Sequence, residues 1–276
     1  MTRTLYVSDL DGTLLGEDGT LSPRTASVVN DLIDGGGLFT YATARSFTSA
    51  SAATAGLRLN LPAITYGGSA VIDPRTGELA SATFLPATVV TRILRLMSRA
   101  DGVEPFVFGM VDGQDRAVWR EAHANDGVRA VLDALNGDPR LLSVAGWSDI
   151  DPAQVLSIGT GGSAGPLREV RDALGDALEG CFSVLWDNDG RPGRQWLEIY
   201  SADATKAAAA RRLQARVGAD RLVAFGDHLN DVPLLAGADA GYAVANAVPE
   251  LRAVATSVIG SNGDHGVAEW LAEFGR

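Results

Sequence analysis

A single cysteine, Cys181, stands among 276 residues, so no internal disulfide can form, and one cysteine with three histidines is too few for a structural zinc cluster. Basic side chains are scarce as well. The 23 Lys and Arg face 34 Asp and Glu, the net charge is −11, and no run of Lys or Arg makes a local surplus. Such a surface repels polyanions, which argues against a nucleic-acid partner. Long apolar runs are missing: nothing approaches the roughly 20 apolar residues of a membrane span. The run after Arg3 ends at Leu5-Tyr6-Val7, too short for a signal peptide. There is no low-complexity tail. These absences lead us to expect a soluble cytoplasmic protein with no membrane partner, a monomer or small homo-oligomer.

What is present is apolar material, 46% of the chain, enough for the core of one large domain or two modest ones. Residues 4–8 read as a buried strand that runs into the acidic loop Asp9-Leu-Asp-Gly-Thr13. Ser22-Pro23 then opens a helix that Gly35-Gly36-Gly37 stops. A second strand, 38–42, carries Thr43-Ala-Arg-Ser46 at its C-terminal end, and 63–66 reads as a third. Strands alternating with helices predict an α/β fold, a doubly wound parallel sheet of Rossmann-like type whose ligands bind beyond the C-terminal strand ends. The pattern changes after Asp73-Pro-Arg-Thr-Gly77, where strands alternate more clearly and four of the five tryptophans occur. A helix followed by two strands appears twice in this stretch, which suits an antiparallel sheet covered by helices on one face. From residue 202 the α/β rhythm returns. The expected organisation is a core of residues 1–75 plus 202–276 with an α/β domain, 76–201, inserted.

Asp9 and Asp11 at a buried strand end pose an electrostatic problem, because adjacent like charges repel unless a cation or shared proton offsets them. A divalent metal would do so. The bland alternative is a solvated Asp-Gly turn. A second acidic cluster, Gly226-Asp227-His-Leu-Asn230-Asp231, follows the predicted strand 222–225. Its carboxylates suit a hard cation such as Mg²⁺, although Asp231 could equally serve a helix N-terminus. Lys206 stands in the first turn of an alanine-rich helix, where the dipole prefers an acid; a bound anion would remove that conflict, and an exposed lysine is the alternative. Thr43 and the backbone N–H groups after it could hold phosphate oxygens or merely cap a helix.

In this order, Asp9-Leu-Asp11-Gly-Thr13, Thr43, Lys206, and Gly226-Asp227 with Asn230-Asp231 resemble the four motifs of the haloacid dehalogenase-like phosphatase superfamily. The roughly 160 residues between Thr43 and Lys206 resemble the type IIB cap insertion of its Cof-like subfamily. Asn246-Ala247 and Asn262-Gly-Asp264-His-Gly266-Val267 are similar to later segments of that subfamily. The resemblance implies a Mg²⁺-dependent hydrolase acting on a small phosphorylated metabolite, a sugar phosphate or similar, through an aspartyl-phosphate. Asp9 would be the nucleophile and Asp11 the general acid, then the general base. The metal ligands would be Asp9, Asp11 (by its backbone carbonyl), Asp227 and Asp231. Thr43 and Lys206 would hold the phosphoryl group, and Asn230 would order the loop or the phosphate. Arg45, by its place next to Thr43, is our own candidate for a second substrate contact. Two departures stand out: Ala44 where Gly is common, and Gly67-Gly68-Ser69 where Asn-Gly-Ala is usual.

A phosphomutase would use the same residues. The rival from another class is a dinucleotide-binding module, since Gly159-Thr-Gly161-Gly-Ser-Ala164 follows a predicted strand and Asp187 lies further on. Only one strand-helix-strand unit surrounds that glycine run, and the expectation for it is a loop. Trp186, Arg191, Arg194 and Trp196 could recognise a sugar, but a hairpin turning at Gly190 and Pro192 with tryptophans packed on the sheet explains them as well.

Overall fold

The computed structural model describes residues 2–187 and 194–275. In chain order its main elements are β1 (Thr4–Ser8), α1 (Pro23–Asp34), β2 (Leu38–Tyr41), α2 (Phe47–Ala53), β3 (Ala63–Thr65), β4 (Ala70–Ile72) and β5 (Leu79–Ala82). There follow α3 (Ala87–Met97), β6 (Phe106–Val111), β7 (Gln114–Arg120), α4 (Asp126–Ala134), β8 (Leu141–Val144), β9 (Val155–Ser163), α5 (Ala164–Leu174), β10 (Cys181–Asp187) and β11 (Arg194–Ser201). The chain ends with α6 (Lys206–Val217), β12 (Arg221–Gly226), α7 (Val232–Gly237), β13 (Ala240–Val244), α8 (Pro249–Val254), β14 (Ser257–Ile259) and α9 (Gly266–Phe274). Two compact units result, one of Met1–Ala82 with Ala204–Arg276 and one of Thr83–Asp203.

In the first unit five parallel strands lie in the order β14-β13-β12-β1-β2. The chain leaves β1 toward β2 on one side, whereas β12 leads toward β13 and β14 on the other. Right-handed crossovers therefore place α1 and α7 on opposite faces. The strand order reverses between β1 and β12, where the chain turns away in both directions and a crevice opens. Leu5, Val7, Phe39, Val223, Ala224 and Phe225 are buried between the helical layers, as strands covered on both faces must be. Helix α1 begins where Ser22 accepts from the Thr25 N–H and Pro23 supplies a preset φ, and it turns Val28, Val29 and Ile33 to the core. The segment 63–66, predicted as a third strand-helix unit, differs: β3 pairs antiparallel with β4, and β4 with β5. Only one parallel bridge, Ala42 to Ile64, links it to the strand before it. Gly67 and Gly68, both at positive φ, turn the chain where a helix would have to start.

The second unit is built on a six-stranded sheet, β10-β11-β9-β6-β7-β8, antiparallel except for β7 with β8. Its helices do not share one face. On one side Val107, Val118, Ile158, Leu197 and Ile199 form a core with Ile93 and Met97 of α3 and Leu167 and Val170 of α5. On the other, Phe106, Ala117 and Trp119 pack with Val128 and Val131 of α4. The cause is visible in Phe106-Val-Phe108 and Ala117-Val-Trp119: apolar residues on both parities demand cover on both faces. The glycine run 159–162 is not a loop but lies inside β9, paired with β11 on one side and, through Gly159, with β6 on the other. A Cβ on Gly159 would come within 2.2 Å of the Trp196 ring, so the glycine makes room for an aromatic side chain rather than for a pyrophosphate. That removes the dinucleotide reading. Trp196 packs on the sheet, and Arg194 lies 3.9 Å from Asp126. The expected turn at Gly190, Arg191 and Pro192 lies outside the described residues.

Candidate active site

The parallel register sets the site. Ser8 pairs with Phe225 on one side and Tyr41 on the other, so the residues after these strand ends emerge at one edge of the sheet. The Asp9 N–H donates to the Phe225 carbonyl (3.0 Å) and the Ala42 N–H to the Ser8 carbonyl (2.8 Å), extending the pairing to the loops themselves. Asp9, Asp11, Thr43, Ala44, Lys206, Asp227, His228 and Asn230 line a cavity of about 250 Å³ there.

Lys206 is brought in by α6, whose N-cap Thr205 accepts from the Ala208 N–H. Its ammonium is buried and donates to Asp9 Oδ1 at 2.5 Å and Asp231 Oδ1 at 2.7 Å. Burial alone would lower the lysine pKa, but the two carboxylates outweigh it and hold the group above its ordinary value. Desolvation pushes the Asp9 carboxyl well above the usual carboxylate range, against the pull of Lys206, and the charges of Asp231 and Asp227 push the same way. Asp227 is raised too, by burial first and by Asp231 next. Thr13 donates to Asp227 Oδ1 at 3.0 Å. Gly12 (φ 74°) lets the backbone pass so close to Asp227 that a Cβ would sit 2.4 Å from its Oδ2.

One carboxylate oxygen from each of Asp9, Asp227 and Asp231 lies within 4.8 Å of the others. Three acids with one ammonium among them leave an excess of negative charge in a half-closed, oxygen-only setting, a donor set that fits a hard dication such as Mg²⁺. Asp231 is fully buried and already engaged: its Oδ1 takes Lys206, and its Oδ2 accepts from the N–H groups of Asp227 (3.1 Å) and His228 (3.3 Å). Asp11 stands apart from this cluster. Arg45 forks onto it, with Nε to Oδ2 at 2.8 Å and Nη2 to Oδ1 at 2.6 Å. The structure thus places Arg45 on an acid; the substrate contact that the sequence suggested for it stays an expectation. Thr43 Oγ1 accepts from the Arg45 N–H (3.1 Å), and Asn230 is exposed at the rim.

Sequence reasoning assigned no role to Thr13, Asn246 or Asn262. Asn246 donates to the Gly12 carbonyl (2.7 Å) and Asn262 to the Leu15 carbonyl (3.0 Å), while the Asn262 N–H donates to Asn246 Oδ1 (3.0 Å). Two asparagines from the C-terminal quarter therefore hold the Asp9–Leu15 loop. The only signal for them was their place in the segments that resembled the subfamily.

A family model described as haloacid dehalogenase-like hydrolase matches residues 6–271. The chain is 25% identical over 279 residues to a 5-amino-6-(5-phospho-D-ribitylamino)uracil phosphatase of Bacillus subtilis (strain 168), covering 98% of this chain and 97% of the relative. It is 26% identical over 289 residues to an HMP-PP phosphatase of Yersinia enterocolitica, covering 98% and 94%. Among solved structures, a haloacid dehalogenase-like hydrolase from Bacteroides thetaiotaomicron shares the fold with a TM-score of 0.77 at 21% identity, over 98% of this chain and 99% of that one.

Proposed function

The chain belongs to the haloacid dehalogenase-like hydrolase family, and from that membership we propose that it is a phosphomonoester hydrolase acting on a small phosphorylated metabolite. The observation that carries the reading is Asp9: a buried carboxylate at the switch point of a parallel sheet, on the wall of a cavity, with Lys206 on one oxygen. Both relatives are named as phosphatases of small phosphorylated molecules, which supports the substrate class.

In this reading the Asp9 oxygen that does not face Lys206 bonds to phosphorus as the ester P–O bond breaks. The electron pair of that bond goes to the leaving oxygen, which takes a proton from Asp11. Water then attacks the phosphorus of the aspartyl-phosphate and gives a proton to Asp11, and the bond to Asp9 breaks to release inorganic phosphate. Lys206 and Thr43 orient the phosphoryl oxygens and balance their charge, and Asn230 helps hold them at the rim. Asp231 positions Lys206. Asp9, Asp227 and the Asp11 carbonyl would hold Mg²⁺, with Asp231 behind them; when bound, the ion neutralises charge on the phosphoryl group. The test is phosphate release from a panel of phosphorylated metabolites with Mg²⁺, comparing wild type with Asp9→Asn. Loss of all turnover in the variant is expected; undiminished release would overturn Asp9 as the nucleophile, and no release by the wild type from any member of the panel would overturn the reading. Return of the phosphoryl group to a second hydroxyl without phosphate release would make the protein a mutase.

A further inference from the structure

The Arg45 guanidinium reaches past the phosphate-holding groups and takes both oxygens of Asp11 in a planar fork, at 2.8 and 2.6 Å. Asp11 needs such a partner. Its side chain is 54% exposed and has no other hydrogen bond among the described residues, so alone it would sample several rotamers. Arg45, in contrast, is held from below: its N–H donates to Thr43 Oγ1 and its carbonyl accepts from the Tyr66 N–H (3.0 Å). That loop is itself wedged, with Tyr66, Gly67 and Gly68 at φ of 50°, 64° and 110°. At Gly68 a Cβ would stand 2.3 Å from the Thr205 carbonyl, against the backbone that leads into Lys206. Thus Lys206, Thr43 and the base of Arg45 belong to one frame, and the fork extends that frame to Asp11.

We propose that Arg45 is a positioning residue that aims the Asp11 carboxyl at the leaving oxygen, and not a ligand of the phosphoryl group. The inference rests on the phosphatase reading above. A fork fixes direction as well as distance, which an ammonium cannot do. Direction matters most where the leaving oxygen needs its proton, and least where the leaving group departs as a stable anion.

Phenyl phosphate and p-nitrophenyl phosphate differ little in shape but greatly in that need. Arg45→Ala is expected to lower kcat/KM for phenyl phosphate about 10²-fold, within the span of general acid catalysis, and for p-nitrophenyl phosphate roughly ten times less. Arg45→Lys, which keeps the charge but loses the fork, is expected to follow Arg45→Ala. Inhibition by inorganic phosphate should hold its wild-type value in both, and unchanged melting temperatures would exclude misfolding. Equal losses on the two substrates with weaker phosphate inhibition would overturn the proposal in favour of a phosphate contact, and no loss on either would overturn it too. Failure of the wild type to release phosphate from either ester or from any phosphorylated metabolite would instead sink the phosphatase reading, so the two failures are distinct.

Discussion

At the scale of single residues, the centre of the site is a buried ammonium held between two acids, Asp9 and Asp231, neither of which has another cation at hydrogen-bond distance among the described residues. Removing one member of such a group leaves uncompensated charge in a low-dielectric setting, which costs about 3–5 kcal/mol. Lys206→Met should therefore lower the melting temperature as well as abolish turnover. The pH dependence has a definite sign. Without Lys206 the Asp9 carboxyl, already raised by burial, rises further, so the native state binds a proton that the unfolded chain releases. Stability of the variant is then fullest in acid and is lost as the pH rises through the raised value. Adding Asp231→Asn should restore part of the stability and none of the activity, which thermal denaturation beside a phosphate assay will show. Most of this site could be read in the sequence, because Asp9, Thr43 and Asp227 each follow a predicted strand and Lys206 breaks a helix-end preference. Which acid claims which cation could not. The Arg45–Asp11 fork and the Lys206–Asp231 bridge join residues 34 and 25 positions apart, and only the folded sheet edge brings them together.

At the scale of elements, β9 shows where pattern reading fails and why. A run of glycines suggests a loop when each residue is judged alone, but Gly159 and Gly161 lie against Trp196 of the neighbouring β11, and the ring occupies the space that side chains would fill. The remedy lay in a partner strand far along the chain. Gly159→Ala should overpack this contact and cost about 1–3 kcal/mol. Gly165→Ala in α5 meets nothing within 4 Å and should gain a few tenths to about 1 kcal/mol from helix propensity. Urea denaturation of the two variants separates these signs. The β8 strand escaped notice because none of Leu141–Val144 is fully buried and the segment shows no clean alternation, and helices on both faces were missed because the two apolar parities of β6 and β7 were read as one alternation. The same sheet carries a titratable core residue. Glu198 accepts from Ser157 (2.9 Å) and from the Trp196 indole (3.1 Å), and burial raises its pKa against those bonds. A raised folded value means stability that is full below the ordinary carboxylate pKa and lost as the pH climbs through the raised one. Glu198→Gln, which keeps a hydrogen-bonding amide, should melt above wild type at pH 8 and lose that advantage at pH 4.

At the scale of the whole molecule, the chain carries a net charge of −11, and any cation stabilises such a surface somewhat by screening its self-repulsion. A rise in melting temperature on adding MgCl₂ is therefore ambiguous unless the specific part is separated from the general one. The carboxylates of Asp9, Asp227 and Asp231 provide the separation, since they concentrate charge at one point while the rest is spread over the surface. A dication bound only by the folded state adds RT ln(1 + [L]/Kd), about 2.7 kcal/mol at a concentration one hundred times Kd. NaCl at equal ionic strength supplies the screening alone. The expected result is a larger rise with MgCl₂ than with NaCl in wild type, and equal rises in Asp227→Asn, whose loss of one charge changes screening only slightly. Binding should also release protons, because Asp9 and Asp227 have raised pKa values without the ion and must be ionised to hold it. The excess stabilisation must then grow as the pH rises toward neutrality. An excess that persisted in Asp227→Asn, or that did not change with pH, would place the ion elsewhere on the acidic surface.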